Sequence, residues 1–123
     1  MKVIRLNTDG TTEILETTSD WDKLAKLIGC DWIEVVRPKH NKYVLVVDEE
    51  GLLKDNPELN PLASFIYGIL EHDQPVVGNA LLMDETFGND GPELSGLEEP
   101  EELKETLDDM LSDLIPILQA RGY

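Results

Sequence analysis

The sequence predicts a single α+β domain: a mostly antiparallel sheet of about five strands, two short helices and a C-terminal amphipathic, acidic helix. Three observations predict it. The chain has 123 residues, the size of one domain, and its 41% hydrophobic and 29% charged residues are an ordinary globular balance, with enough apolar surface for a core. β-branched and aromatic runs recur along the first two thirds of the chain, separated by turn residues. Leucines at helical spacing then line one side of the last 20 or so residues.

Each element has a local reason. Lys2–Leu6 alternates apolar and basic residues, and Thr11–Glu16 resumes a strand pattern after Asp9-Gly10, a two-residue hairpin turn signal. Thr18 or Ser19 can cap a short helix whose apolar face is Trp21, Leu24, Leu27 and Ile28, with Gly29 as its C-cap. Trp32–Val36 and Tyr43–Val47 read as strands joined by the turn Pro38-Lys39-His40-Asn41. After Asp48-Glu49-Glu50-Gly51 and the loop at Asn56-Pro57, Leu59 or Asn60 begins a second helix. Pro61 stands in its first turn, where a missing N–H costs nothing, and Leu62, Phe65, Ile66, Ile69 and Leu70 form its apolar face. Pro75–Met83 reads as a last strand with a bulge at Gly78-Asn79. Residues 1–83 thus form a compact α+β unit.

Residues 84–98, rich in Gly, Asn, Asp and Glu, read as a long exposed acidic loop. Residues 99–121 read as the amphipathic helix, with Pro100 at its start and Glu101 and Glu102 at the positive end of its dipole. Leu103, Leu107, Met110, Leu111, Leu114 and Leu118 form its apolar stripe, which docks on the same domain or pairs two copies as a homodimer. Pro116 is expected to kink or end the helix near Ile115.

Charge narrows the function. With 26 Asp+Glu against 10 Lys+Arg, the net charge is −16, which repels phosphates and anionic lipid and argues against direct binding of nucleic acid or membrane. It is unevenly placed: residues 1–70 hold 12 acids and 8 bases (net −4), residues 71–123 hold 14 acids and 2 bases (net −12). Asp84, Glu85, Asp90, Glu98, Glu101, Glu102, Glu105, Asp109 and Asp113 are the candidate acidic face. One reading is a solvated surface that keeps the protein soluble. The other is a phosphate-mimicking surface that occupies the nucleic-acid site of another protein. Residues 98–113 carry eight acids and one base, over a helix length that would hold about 14 duplex phosphates at ~1.7 Å per charge. That is about half the density of DNA, so neighbouring acids must complete the mimic.

Catalytic and metal motifs do not emerge. Cys30, the single cysteine, allows no internal disulfide, and Cys30, His40 and His72 lack the paired spacing of a zinc site. His72, between Glu71 and Asp73, reads as a surface residue beyond a helix end, and Cys30 as a structural thiol. Placing Gly91 at the sixth position of a calcium loop puts Leu97 where a bidentate Glu is needed. Nucleophile-elbow, phosphate-loop, dinucleotide and zinc-protease patterns are missing, so a non-catalytic protein without cofactor or metal is expected. The start of the chain lacks the apolar segment of a signal peptide, and no 18-residue apolar run occurs, which predicts a cytoplasmic protein. A small-ligand site is the alternative function: Asn60 at a helix start, with Ser64 and Tyr67 adding hydroxyls, could hold a nucleotide signal.

The ordered pieces Met1-Lys2-Val3-Ile4, Trp32–Val36, Val46–Gly51 with its Asp-Glu-Glu-Gly turn, Leu59–Ser64 and Val76–Leu81 carry a resemblance. Over about residues 1–83 the chain resembles the domain of unknown function 3846 family, small proteins found largely in bacteriophages, plasmids and other mobile elements. The resemblance implies a setting and a fold but no reaction, and the acidic segment after Met83 stands outside it. Together these readings predict a mobile-element binding protein that antagonises a host nucleic-acid-handling or defence protein, in the host cytosol, through its acidic face.

Overall fold

Strands β1 (Lys2–Leu6), β2 (Thr12–Glu16), β3 (Ile33–Val36), β4 (Val44–Asp48), β5 (Ala80–Gly88) and β6 (Gly91–Ser95) alternate with helices α1 (Trp21–Ile28), α2 (Pro61–Tyr67) and α3 (Pro100–Ala120). This is the order in a computed structural model, which describes residues 1–39, 41–68 and 75–122, apart from the Leu118 side chain. The readings placed on His40, Ile69, Leu70, Glu71, His72 and Asp73, and on the Leu118 side chain, lie outside the described residues.

The sheet has the strand order β2-β1-β5-β4-β3, antiparallel at every pairing, with β6 pairing the outer half of β5. The α+β expectation holds. Both sheet faces are covered. On one face α1 buries Leu24, Ala25 and Ile28 against Val3, Ile33, Val44, Val46, Leu81 and Met83. On the other, α2 and α3 pack Leu62, Ala63, Leu107 and Leu114 against Ile4, Leu6, Leu45, Val47, Ala80 and Leu82. Two-sided burial explains why Val44–Val47 and Ala80–Met83 are unbroken apolar runs with no alternation.

Several local expectations change. The Asp9-Gly10 turn is a three-residue loop, Thr8-Asp9-Gly10, closed by Asn7 N–H to Thr11 O at 2.9 Å, with Gly10 at φ 91°. The cap of α1 is Asp20, whose carboxylate accepts from Asp22 N–H and Lys23 N–H; Thr18 and Ser19 lie outside the helix. Gly29 closes α1 in the left-handed conformation, as expected. Pro75–Asn79 does not join the sheet. Val76 is tied to α2 through both its N–H and its carbonyl, Gly78 N–H donates to Glu58 O, and the strand begins only at Ala80. Pro116 does not end α3, which continues to Ala120. The missing Pro116 N–H leaves Ser112 O without its intrahelical donor, a loss confined to the last turns, where the described side chains beyond Leu114 are exposed to solvent.

Residues 84–98 are mostly not a loop. β5 runs through Asp84 to Gly88, turns at Asn89-Asp90 and returns as β6, with Asp84 opposite Ser95 and Gly88 opposite Gly91. The turn residues concealed a hairpin only two residues wide at its tip. Beyond it, Leu97 is buried in the α2/α3 core and its N–H donates to Lys2 O at 2.8 Å. Gly96 permits that approach: a Cβ there would lie 2.6 Å from Met1 Cβ and 3.0 Å from Lys2 N.

Candidate functional site

Helix α3 positions the acidic side chains. Leu107 and Leu114 are buried, and Leu103 and Leu111 pack against the same core. Asp108 accepts from Thr12 Oγ1 of β2 at 2.6 Å and from Lys104 Nζ at 2.7 Å. Leu103, Leu107, Leu111 and Leu114 of the apolar stripe are therefore used within the chain. Docking sets the helix rotation. Glu101, Glu105, Asp109 and Asp113 follow one another at i+4 and drift slowly around the side opposite the leucines, with Glu102 beside them, and all five are exposed. The row from Glu101 to Asp113 is ~18 Å long.

The remaining predicted acids separate. Asp84 and Glu85 are neighbours on β5 and point to opposite sheet faces. Asp84 faces α3 and lines a groove of about 250 Å³ with Glu98, Glu99, Glu102, Lys42, Tyr43, Leu97, Leu103 and Thr106. Glu98 and Glu99 thereby extend the acidic row beyond the helix start. Glu85 lies on the α1 side, where its nearly buried carboxylate takes a bidentate grip from Arg37, Nη2 to Oε1 at 2.8 Å and Nε to Oε2 at 3.0 Å. It is neutralised there and does not contribute to the α3 face. Asp90 is exposed at the hairpin tip.

Crowding of like charges is visible in the groove. The hydrogen bond with Glu99, and then the charge of Glu99, hold the Glu102 carboxyl above its ordinary range. The Asp108 carboxyl shows the contrary balance. Burial pushes it up, but the hydrogen bonds from Lys104 and Thr12 outweigh burial and hold it below the usual carboxylate range.

The alternative ligand residues are not gathered into a pocket. Asn60 is 0% exposed: its Oδ1 caps α2 by accepting from Ala63 N–H at 3.1 Å, and its Nδ2 donates to Leu6 O at 2.8 Å and Gly78 O at 2.9 Å. Ser64, also 0% exposed, donates to Val76 O and accepts from Val76 N–H. Both side chains are saturated by backbone. Tyr67 stands apart, lining a smaller groove with Glu34, Val36, Glu49 and Leu52. Composition and spacing marked these polar residues, but only three-dimensional packing shows that they hold the fold together.

Cys30 is half-buried, its Sγ 3.4 Å from Trp32 O, and burial followed by the nearby Asp48 carboxylate pushes its thiol pKa up. Among the described residues no helix is long and apolar enough to cross a membrane. A cleft that sequence reasoning did not identify lies at the other end of the sheet, about 260 Å³, lined by Thr8, Gly29, Gly51, Lys54, Glu58, Gly78 and Asn79 among others. Here the Asp-Glu-Glu-Gly turn and the Val76–Leu81 segment meet. A Cβ on Gly51 would lie 2.7 Å from Val77 Cγ2, Asn79 Oδ1 accepts from Thr8 N–H, and Asn60 ties Gly78 to Leu6 of β1. The motifs that carry the family resemblance are thus parts of one packing arrangement.

No curated protein and no solved structure matches the chain. A family model, "Domain of unknown function (DUF3846)", matches residues 1–108. The match runs well past Met83, through the whole β5–β6 hairpin and into α3, so the acidic segment is not an appendage outside the family. With motifs, hairpin and the docked first half of α3 all within the matched span, the chain belongs to the DUF3846 family.

Proposed function

We propose that this protein is a non-catalytic binding protein that uses the acidic outer side of α3 to occupy a basic, nucleic-acid-handling surface of another protein. The observation that carries the reading is the rigid presentation of Glu101, Glu102, Glu105, Asp109 and Asp113, exposed on a helix whose opposite side is locked into the core by Leu107 and Leu114. The backbone of a docked helix is already ordered, whereas a loop would still have to order on binding, which favours charges on the helix over charges on a loop. Five acids along ~18 Å, of which Glu101 pairs with Lys2 at 3.6 Å, are at most about half the charge of duplex DNA over that length, and Asp84, Glu98 and Glu99 add to the row at its start. The mobile-element setting of the resemblance makes the partner a host nucleic-acid-handling or defence protein met in the host cytosol, with no direct contact to nucleic acid or membrane.

The test is capture from nuclease-treated host lysate by the wild type and by a variant with Glu101, Glu102, Glu105 and Asp109 changed to Lys. A captured nucleic-acid-binding protein that the variant loses, that duplex DNA displaces, and whose affinity falls steeply with salt supports the reading. Capture that is unchanged by charge reversal and by salt overturns it.

A further inference from the structure

The two edges of the sheet differ. At β2, Thr12 is tied to α3 through Asp108. At β3 there is β4 on one side and, among the described residues, no strand on the other. Trp32 O accepts from Glu49 N–H at 3.0 Å, so Trp32, Glu34 and Val36 turn their backbone groups toward β4. By strand alternation the N–H and C=O groups of Ile33 and Val35 then face outward.

A groove adjoins this edge on each side of the sheet. On the α2 side, Glu34 and Val36 of β3 line a groove of about 110 Å³ with Val47, Glu49, Leu52 and Pro75. On the α1 side, Val35 lines a wider one of about 430 Å³ with Arg37, Glu85, Trp21 and Leu94. Large apolar side chains stand open around the edge: Trp21 is 56% exposed, Trp32 63% and Leu52 53%. Trp21 and Trp32 are both of the chain's tryptophans.

We propose that β3 is a docking edge for an extended basic peptide segment of a partner protein, which adds a strand to the sheet. Main-chain hydrogen bonds to Ile33 and Val35 set the register, and successive side chains enter the two grooves alternately. Charge complementarity selects the peptide. The charged side chains lining the α2-side groove are Glu34, Asp48 and Glu49, and of these Asp48 is neutralised by Lys54 at 2.6 Å. A Lys or Arg stem lies over Val36 and Val47 with its head on Glu34 and Glu49. On the α1 side Arg37 and Glu85 already satisfy each other and Glu93 is a further acid of the lining, so that groove takes an aliphatic residue against Val35, Leu94 and Trp21 without opposing a basic neighbour. The segment is therefore basic and aliphatic by turns.

The experiment titrates the full chain with the acetylated, amidated hexapeptide Lys-Val-Lys-Val-Lys-Val, following tryptophan fluorescence and residue-resolved amide exchange. Controls are Glu-Val-Glu-Val-Glu-Val and the Lys-Val peptide N-methylated at alternate residues. With the Lys-Val peptide at ten times its dissociation constant, exchange at the Ile33 and Val35 amides slows by about tenfold. The acidic and N-methylated peptides do not produce that protection. Glu34→Lys, an exposed substitution that leaves the core intact, offsets the charge of Glu49 and abolishes the preference for the basic peptide. Binding that protects α3 instead of Ile33 and Val35, or no binding at millimolar peptide, overturns the proposal. So does protection of the two amides by concentration-dependent dimerisation without peptide, since the edge then belongs to a second copy. The α3 charge-reversal variant keeps the β3 edge, so it still protects these amides with peptide even if its lysate partner is lost.

Discussion

Asn60 shows how one side chain can look functional and be structural. Its carbonyl oxygen caps α2 while its amide holds the carbonyls of Leu6 and Gly78, so three segments converge on one fully buried residue. Asn60→Ala removes the cap and strands two buried carbonyls, a loss of about 2–4 kcal/mol in urea unfolding; a loss below about 1 kcal/mol would contradict this role. Asn60→Asp keeps the cap oxygen but loses both donors and is expected to destabilise at least as much as Ala, because the residue needs an acceptor and two donors at once. Asp108 supplies a pH prediction. Its folded pKa is depressed, so the stability it contributes is present above the unfolded carboxylate value near ~3.9 and is lost as pH falls through the lower folded value. The stability difference between wild type and Asp108→Asn should accordingly be greatest near neutrality and shrink on acidification below about pH 4, measured by urea midpoints across pH. A difference that grows on acidification would reverse the assignment.

At the scale of elements, α3 joins two properties that the sequence displays separately. Its leucine stripe and its acidic row are both legible from 3.6-residue spacing, and both occur where expected. Leu107→Ala or Leu114→Ala should cost about 2–5 kcal/mol, whereas Ile117→Ala, in the exposed last turns, should change unfolding by less than about 0.5 kcal/mol. Equal effects at the three positions in urea melts would mean that the helix does not dock as described. The hairpin β5–β6 was harder to read. Asp84-Glu85-Thr86-Phe87 alternates only weakly in polarity, and its turn residues outnumber its strand formers. Pairing with a neighbour supplies what intrinsic preference lacks, since β propensity depends on context more than helix propensity does. The Val76–Asn79 segment failed in the opposite direction. Its β-branched residues suit a strand, yet hydrogen bonds to Asn60 and Ser64 draw it to α2.

For the whole molecule, the net charge of −16 acts on two apolar clusters, one on each sheet face, that between them span residues 3–114. Removing α3 would uncover Ile4 and Leu6 of β1 and Ile14 of β2 together, so a fragment ending at Glu99 should lose cooperative unfolding by circular dichroism. A fragment that melts cooperatively would show that the α2 side folds without its cover. Self-repulsion also makes stability salt-dependent: the melting temperature should rise between 0.01 and 0.5 M salt, roughly the range over which the screening length falls from ~30 Å to a few ångströms. The α3 charge-reversal variant should show a flatter response.

The sequence by itself determined the class of the fold, the described part of the α3 leucine stripe, the caps at Gly29 and Asn60, and the place where negative charge concentrates. These follow from local spacing and from residue chemistry that acts over one or two turns. The sequence did not determine the face of α1, where Trp21 stands exposed and Ala25 is buried. Tertiary structure alone decided that Asn60 and Ser64 are consumed by backbone, that Asp84 and Glu85 serve opposite faces, and that β3 ends the sheet. Such facts depend on which segments meet in space, and a hydrogen bond from residue 60 to residue 6 leaves no trace in the spacing of either.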